Sequence, residues 1–443
     1  MGDEMIPISL CMIVKNEEAN LDKCLNSIGD YVDEIIVVDT GSKDKTKEVA
    51  YKYTDKVYDF DWVDDFSKAR NFSISKATND WILVLDADEF LIHFDKLQVQ
   101  NFLSQNEKAI GRIEIILNFS YYDKIKEVQK SRDRIARLFN RKHYKYEGII
   151  HEQIVPLDGI AIKSQNIGIS VDHVGYMAEE VRRKNKWERN KKLLEKSIKE
   201  NPNDPYLYYN LGKIHYLTKN YVDAIKMFDK AMQSDIDYKL EYAQDLVITY
   251  GYSLLNLRKY EDALKVMEYE FYYKNLADYY FLLGLIKMNI GKFEEAIVNF
   301  KKSIGKTEKV IGTSSYLSYY NLGVIYEVLG DIGQALSYYG KCGEYVPASK
   351  RINEIIKSGK AKRQIQEHIE IGNLEKAKSI LNIIEDFLKN DPEIYSIKAV
   401  IFMMENKLKE ARRTLEKGLQ MFSNDEDLLY NIEYLNSIEN TSD

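Results

Sequence analysis

The stretch from Asp80 to Phe90 constrains the fold of this chain more than any other. A short apolar run, Ile82 to Leu85, ends in two carboxylates one residue apart, Asp86 and Asp88. Such a run is typical of a strand buried on both faces of a parallel sheet, and ligands of open α/β sheets collect where these strands end. Paired carboxylates there can hold a hard divalent cation that in turn binds a diphosphate. The alternative is a solvated turn in which Asp86 caps a helix.

Strand and helix patterns alternate before this stretch. Ile8 to Val14 and Glu34 to Val38 predict two buried strands, and Val57 with Tyr58 predicts a weak third. Phe66 to Lys76 predicts a helix. This order predicts a doubly wound α/β domain with a parallel sheet. Because neither a Gly-x-Gly-x-x-Gly loop nor a Walker loop occurs, a dinucleotide dehydrogenase and a P-loop enzyme are disfavoured.

The composition limits which binding partners and which cellular compartment we expect for this protein. A formal net charge of -7 and a pI of about 5.7 argue against a nucleic-acid partner. The three cysteines have no paired spacing, which favours a reducing compartment. No signal peptide or apolar run long enough for a membrane span is visible. We therefore expect a soluble, cytoplasmic protein of two or three domains.

Polar side chains follow each predicted strand, in the loops 15–18, 39–42 and 86–88. Asp39 can accept hydrogen bonds from a base or ribose, and Arg70 supplies a fork-shaped cation for a base edge or a phosphate. The alternatives are a turn that Asp39 forms before Gly41 and a surface ion pair of Arg70.

Four motifs here resemble those of the family-2 glycosyltransferases of GT-A fold. They are Ile13-Val14-Lys15-Asn16-Glu17-Glu18, Val37-Val38-Asp39-Thr40-Gly41-Ser42, Phe66-Ser67-Lys68-Ala69-Arg70-Asn71 and Leu85-Asp86-Ala87-Asp88-Glu89. Together they are far more specific than any one of them. The resemblance implies a GT-A domain (a Rossmann-like nucleotide-diphospho-sugar transferase) over residues 1–177, a nucleotide-sugar donor, and transfer with inversion. It also implies a Mn²⁺ or Mg²⁺ ion held through Asp88.

The resemblance further implies which residues bind the donor. On this analogy Asp39 contacts the base, Arg70 the base or the diphosphate, and Asp86 the ribose side. The full implied donor set is Val14, Asn16, Glu17, Asp39, Arg70, Asp86, Ala87 and Asp88.

Two histidine motifs follow, Gly148-Ile149-Ile150-His151-Glu152 and His173-Val174-Gly175-Tyr176. A lone histidine is as often a packed or exposed ring as a ligand. The pair nevertheless resembles the acceptor-side half of the same enzymes, in which a His completes the metal shell and a carboxylate deprotonates the acceptor. We predict His173 as a metal ligand, since neutral imidazole suits Mn²⁺-like ions, and Glu152 as the base. His151 is the alternative base.

The second half of the chain is repetitive. Landmark alanines 224, 263, 296, 335, 377 and 411 are separated by 39, 33, 39, 42 and 34 residues, close to the tetratricopeptide period. We predict a basic linker helix over residues 178–204 and a tetratricopeptide α-solenoid over residues 205–443. The last helix, from Asp425 onward, is expected to be a polar cap.

A repeat region behind a family-2 domain is similar to bacterial glycosyltransferases of the sublancin type, which attach a sugar to a peptide side chain. The resemblance implies transfer of a hexose, with UDP-glucose as the expected donor, to Cys, Ser or Thr of a peptide or protein in bacteriocin biosynthesis. A surface glycan or lipid-linked saccharide as acceptor, and a repeat scaffold without activity, are the alternatives.

We predict that the repeats dock the acceptor. Counting back three residues from Gly212, Gly284 and Gly323 places Tyr209, Phe281 and Tyr320 at equivalent groove positions. The alternatives are a groove that binds a second copy of the chain, giving a homodimer, or one that braces the catalytic domain.

Overall fold

A computed structural model of the chain describes residues 7–119, 129–159, 163–173 and 180–441. It divides into two compact units. The first comprises Met1–Lys274 with Glu308–Ile311, and the second comprises Asn275–Thr307 with Gly312–Asp443. The first repeat helices therefore share a compact unit with the α/β fold.

The first unit contains an eight-stranded sheet with the order β3-β2-β1-β4-β7-β6-β10-β5 and a separate hairpin, β8-β9. The strands are β1 Ile8–Val14, β2 Glu34–Asp39, β3 Val57–Asp59, β4 Trp81–Val84, β5 Glu89–Phe94, β6 Ala109–Phe119, β7 Gln129–Asn140, β8 Tyr144–Glu147, β9 Gln153–Pro156 and β10 Lys163–His173. The strands β3, β2, β1 and β4 pair in parallel, as predicted.

The parallel pairing predicted for the first strands does not extend through the second half of the sheet. There β4 pairs with β7, β7 with β6 and β10 with β5 in antiparallel register, while β10 pairs with β6 in parallel. The strands β6 and β7 follow each other in the chain, and an antiparallel pair needs no crossover helix between them. The result places β7 directly beside β4, whose end carries Asp86.

Two apolar cores cover the two faces of the parallel strands. Leu83 and Leu85 pack into one core, while Ile82 and Val84 pack into the other. Because side chains alternate along a strand, an unbroken apolar run is what burial on both faces requires. Burial of the whole run explains why β4 was predictable from its composition.

Helices of the first unit cover the sheet and then continue into the repeats. They are α1 Leu21–Ile28, α2 Thr46–Ala50, α3 Phe66–Ser75, α4 Lys96–Gln105, α5 Glu180–Glu200, α6 Pro205–Leu217, α7 Tyr221–Met232, α8 Glu241–Asn256, α9 Tyr260–Ala263 and α10 Glu270–Tyr273, with 3-10 turns at Gly29–Tyr31 and Leu264–Tyr269. Asp65 caps α3, because its carboxylate accepts a 3.1 Å hydrogen bond from the Lys68 amide. Of the predicted linker helix, residues 178 and 179 lie outside the described residues.

The second unit consists of helices. They are α11 Ala277–Asn289, α12 Phe293–Ser303, α13 Tyr316–Val328, α14 Ile332–Gly340, α15 Val346–Lys357, α16 Lys360–Glu370, α17 Leu374–Ile384, α18 Pro392–Met404, α19 Leu408–Met421 and α20 Glu426–Thr441, with a 3-10 turn at Glu385–Phe387. A Cβ atom added at Gly284 would lie 2.6 Å from the Phe300 ring, so only glycine allows α11 and α12 to approach this closely. Within the described ranges, no helix has the length and hydropathy to cross a bilayer.

Two expectations about the repeats are corrected. Tyr209 and Phe281 are buried, and Phe281 packs on Phe300 of its own repeat with ring centroids 5.5 Å apart. Three residues are almost one helical turn, so these side chains share the glycine face that meets the second helix. The final helix is not uniformly polar either, since Tyr430 and Tyr434 are 68% and 52% exposed.

Candidate active site

Hydrogen bonds join the loop after β1 to the loop after β2. Asn16, whose φ is 55°, donates its amide to the Ser42 hydroxyl at 2.8 Å. The Glu17 amide donates to the Thr46 hydroxyl at 2.7 Å. The carbonyl of Val14 accepts the Thr40 amide at 2.9 Å. The two parallel strands therefore end in one cross-linked rim.

Asp39 lies at this rim as a buried carboxylate, only 2% exposed. Its Oδ2 atom accepts hydrogen bonds from the amides of Gly41 at 3.0 Å and Ser42 at 2.9 Å. Its Oδ1 atom is buried and has no hydrogen-bond partner. A buried carboxylate oxygen without a donor is costly, so this atom suits a ligand N–H or O–H group.

Asp86 is held between two arginines. Arg70 Nη2 donates to Asp86 Oδ1 and Arg137 Nη2 donates to Asp86 Oδ2, each at 3.0 Å. Arg137 also donates to Glu89 Oε1 at 2.7 Å. Burial raises the pKa of Asp86, but the two guanidinium groups outweigh burial and hold it well below its usual range. Both oxygens of Asp86 are thus occupied by cations of the protein.

Asp88 points to a different partner. Its Oδ2 atom lies 3.2 Å from Nε2 of His173, and both side chains are mostly buried. Burial raises the pKa of Asp88 and lowers that of His173, but the attraction between them outweighs burial and reverses both shifts. Val174, Gly175 and Tyr176 of the second histidine motif lie outside the described residues.

The Asp88–His173 pair fits a divalent ion that takes most of its ligands from a substrate. In the described part of the chain, no group of three or more His, Cys, Asp or Glu side chains is placed to hold a metal. Mg²⁺ and similar ions commonly use one or two carboxylates and complete their shells with water and substrate phosphates. Carboxylate and imidazole are both suitable donors for Mn²⁺.

Arg70 also connects Asp86 to the predicted base. Its Nε atom donates to Glu152, whose side chain is 11% exposed. The guanidinium lies 5.5 Å from the centre of the Tyr146 ring, and both Arg70 Nη1 and the Tyr146 hydroxyl are buried without a hydrogen-bond partner. The structure therefore places Asp86, Arg70 and Glu152 in one connected network.

His151 occupies a strained position beside Glu152. Its φ is 52°, and its Nε2 atom is buried without a hydrogen-bond partner. Burial lowers the pKa of His151 to about 4, so the ring is neutral near pH 7. Depending on the tautomer, this nitrogen of the neutral ring can accept a hydrogen bond from a ligand or donate one to it.

The segment that carries His151 and Glu152 packs against the helices α5 and α6. Ile150 packs in an apolar cluster with Leu194 of α5 and Leu211 of α6. The Gln153 amide group donates to the His151 carbonyl at 2.9 Å and to the Tyr206 hydroxyl at 3.1 Å. The first repeat helix thus contacts the candidate site directly.

Sequence reasoning missed Arg137, Glu89 and Tyr146. Arg137 lies in β7, 51 positions after Asp86, and reaches Asp86 only because β7 pairs with β4. Its one sequence signal is a cation inside an apolar strand, Ile135-Ala136-Arg137-Leu138-Phe139, which a buried partner would explain.

Polar atoms without partners are concentrated at this site. Among the described residues, the buried side-chain atoms without a hydrogen bond include one each from Asp39, Arg70, Arg137, Tyr146 and His151. Buried polar groups in folded proteins are nearly all paired, so such a concentration marks a place that a polar ligand completes.

Comparisons with known proteins match both the α/β part and the helical part of the chain. Residues 9–152 match the model described as Glycosyl transferase family 2. Residues 193–226, 277–305 and 316–345 match tetratricopeptide repeat models. The chain therefore carries a family-2 glycosyltransferase domain followed by tetratricopeptide repeats, which confirms the resemblance seen in the sequence.

Individual relatives are named for one or the other of these features. A TPR repeat-containing protein of Synechococcus elongatus is 37% identical over 221 residues, which cover 48% of this chain and 53% of that protein. The glycosyltransferase SunS, derived from the SPbeta prophage of Bacillus subtilis, is 28% identical over 239 residues, covering 51% and 53%. The chain spans about half the length of these relatives. Among solved structures, MamA is 20% identical, with a TM-score of 0.33, and covers 41% of this chain and 97% of its own.

Proposed function

We propose that this protein is an inverting, metal-dependent glycosyltransferase that moves a hexose from UDP-glucose to a Cys, Ser or Thr side chain of a peptide or protein. The observation that carries the proposal is the set of unpaired buried polar atoms around Asp39, Arg70 and Tyr146, beside the Asp88–His173 pair. The similarity to the glycosyltransferase SunS and the family-2 match over residues 9–152 support the reaction class.

The base of the donor is assigned to Asp39. Its unpaired Oδ1 atom accepts hydrogen bonds only, so it suits a base that presents an N–H donor. The ring N–H group of uracil is such a donor. The amino groups of adenine, cytosine and guanine are donors too, so the choice of uracil rests on the resemblance of the sequence motifs and not on Asp39 alone. The loop containing Asn16 and Glu17 forms the neighbouring wall, because it is hydrogen-bonded to the loop after Asp39.

The diphosphate is assigned to Arg70 and to the ion that Asp88 and His173 would hold. When bound, such an ion would neutralise charge on the leaving diphosphate. The free Nη1 atom of Arg70 donates to a phosphate oxygen, while its other nitrogens remain fixed by Asp86 and Glu152. Asp86 therefore acts as the residue that orients Arg70, with Arg137 balancing its charge.

The acceptor proton is assigned to Glu152, with His151 as the alternative base. In an inverting transfer, the acceptor O–H or S–H loses its proton as its bond to the anomeric carbon forms and the diphosphate leaves from the opposite face. Burial lowers the pKa of His151 to about 4, which makes its ring a weaker base than an ordinary imidazole. The three cysteines are buried and free, which supports the proposed cytoplasmic location.

A thermal-shift experiment tests the donor and the metal together. We expect UDP with Mn²⁺ to raise the melting temperature more than ADP or CDP does, because a ligand of the native state stabilises it. EDTA should remove most of the effect. Asp88→Asn should abolish the Mn²⁺-dependent part and the turnover while the unliganded melting temperature stays close to that of wild type. Full transfer by Asp88→Asn with added Mn²⁺ or Mg²⁺ would contradict the metal assignment.

A further inference from the structure

A row of aromatic side chains runs outward from the segment that carries the predicted base. We call it the aromatic track, and it consists of Tyr206, Tyr242, Tyr238, Tyr269, Tyr272 and Phe271. All six residues belong to the first compact unit. The row starts at Tyr206, whose hydroxyl accepts a hydrogen bond from Gln153 of the site.

Ring contacts connect most of the track. The ring centroids of Tyr206 and Tyr242 are 5.2 Å apart, and those of Tyr238 and Tyr272 are 5.7 Å apart. The Phe271 ring continues from Tyr272 at 5.5 Å. Tyr242 lies in the first turn of α8, and Tyr238 lies four residues earlier, in the turn before that helix.

The outer end of the track is exposed where the repeat pattern is irregular. Phe271 is 76% exposed and Tyr272 is 43% exposed, whereas the neighbouring Tyr273 is 1% exposed. Here the second helix of a repeat is broken into α9, a 3-10 turn and α10, in contrast to the continuous α7 and α12. At this break the side chains of Phe271 and Tyr272 face the solvent, whereas that of Tyr273 packs into the core. An exposed aromatic cluster of this kind is typical of a binding surface.

The segments that supply the track are acidic. Residues 235–242 contain three acidic residues and one lysine, and Glu241 among them pairs with Arg112. Residues 260–273 contain four acidic residues and one lysine and are flanked by Arg258, Lys259 and Lys274. Burial raises the pKa of Tyr242 and of Tyr269, and the negative charges of Asp204 and Asp237 raise that of Tyr242 further, as Glu268 does for Tyr269. An acidic surface with aromatic rings favours a chain that carries both cationic and apolar side chains.

We propose that the aromatic track binds the part of the acceptor polypeptide that flanks the modified residue, and that this part is rich in Lys or Arg. This inference rests on the proposed function, because it assumes a peptide acceptor that enters at Glu152. The continuity of the track with the candidate site argues for the acceptor over a second copy of the chain. A second copy, with a formal net charge of -7, is also a poor electrostatic match.

Peptide binding tests the proposal without relying on turnover. The probe is a fluorescein-labelled peptide with one central Cys flanked by Leu and Lys residues, and its twin carries Glu in place of Lys. Fluorescence anisotropy should show tighter binding of the Lys peptide to the wild-type chain. The double variant Phe271→Ser with Tyr272→Ser should weaken that binding by about tenfold or more, the loss expected of aromatic anchors.

Two further variants separate the track from general surface effects. Glu268→Lys should weaken binding of the Lys peptide and strengthen that of the Glu peptide. Val222→Ser, at a residue of α7 that is 51% exposed and outside the track, should change neither. Equal affinity for both peptides, no binding of either, or unchanged binding by the double variant overturns the proposal.

UDP binding measured on the same samples keeps the two proposals apart. A wild-type chain that binds the Lys peptide through the track but does not bind UDP contradicts the proposed function and leaves the peptide site standing. A chain that binds UDP while the double variant holds the Lys peptide as tightly as wild type leaves the donor site standing and overturns the track.

Discussion

Two arginine–carboxylate networks, one in each compact unit, differ in what they leave unpaired. In the second unit, Arg351 Nη2 donates to Glu327 Oε1 at 2.7 Å and Nε donates to Oε2 at 3.3 Å. Tyr339 donates to the same carboxylate at 3.0 Å, and Arg351 Nη1 donates to Glu354 at 2.6 Å. Every nitrogen of that guanidinium has a partner.

The network in the first unit is incomplete. Arg70 uses two of its nitrogens on Asp86 and Glu152, and its Nη1 atom is buried without a hydrogen-bond partner. Arg137 likewise keeps a buried Nε atom without one. A network in which every polar atom has a partner stabilises helix packing, whereas one with unpaired polar atoms can still form hydrogen bonds to a ligand. Four predictions test this distinction, from the largest expected effect to the smallest.

Glu152→Gln removes the predicted base from the incomplete network. We expect transfer to a Ser acceptor to fall by roughly 10²–10⁴-fold, since a hydroxyl must lose its proton as the bond forms. A thiol has an ordinary pKa near 8.5, so a Cys acceptor at alkaline pH should suffer less. Mass spectrometry of the Ser and Cys forms of one peptide measures both rates. Wild-type rates on both forms would exclude Glu152 from the site.

Arg70→Lys and Arg351→Lys form a matched pair, because each keeps the positive charge and removes the forked guanidinium group with its several N–H donors. The Arg70 variant should lose roughly 10²-fold or more in turnover, the loss typical of one missing donor to developing charge. The Arg351 variant should keep the turnover and the UDP affinity of wild type and lose about 1–3 kcal/mol of stability. Steady-state kinetics and urea unfolding measure the two effects. The comparison fails if both variants lose only stability.

Tyr206→Phe and Gln153→Ala test whether the repeat helix positions the segment that carries Glu152. Each should lower kcat several-fold with the donor KM unchanged, and the double variant should be less than additive, with a coupling of about 0.5–1 kcal/mol. Tyr208→Phe, on the same helix with its ring near Lys230, is the control and should behave as wild type. Strict additivity would mean that the Tyr206–Gln153 bond does not act on the site.

A third network, around Glu34 at the opposite end of the parallel strands, is complete and should affect stability alone. Burial raises the pKa of Glu34, but hydrogen bonds from Lys56, Ser9 and Thr78 outweigh it and lower the pKa to about 2. Its contribution to stability is therefore present above the ordinary pKa and is lost as the pH falls through the range from about 4.5 to about 2.

Glu34→Gln should accordingly flatten the dependence of the melting temperature on pH in that range and leave UDP binding at neutral pH unchanged. A set of thermal melts between pH 2 and pH 7 measures the first effect, and isothermal titration measures the second. If the wild-type and variant curves stay parallel throughout the acid range, the Glu34 network does not contribute to stability in this way.

Much of the fold follows from local patterns. β1 begins and ends at the predicted residues, Ile8 and Val14, and the helix predicted at Phe66 to Lys76 is observed as Phe66–Ser75. Both patterns depend on side chains within a few positions of each other, through burial on two faces of a strand or one face of a helix. The helix pairs of the repeats were predictable for the same reason.

The sequence by itself determined that polar loops carrying Asp39, Asp86 and Asp88 follow buried strands and that helical repeats follow. Only the tertiary structure decided how those side chains divide. Asp86 pairs with Arg70 and Arg137, whereas Asp88 pairs with His173. Arg137 and His173 lie 51 and 85 positions from these carboxylates in the sequence, and β7 and β10 bring them close. The same applies to the repeats, where the predicted groove anchors Tyr209 and Phe281 are buried. Contacts between distant segments depend on which strands and helices become neighbours, and no local periodicity records that choice.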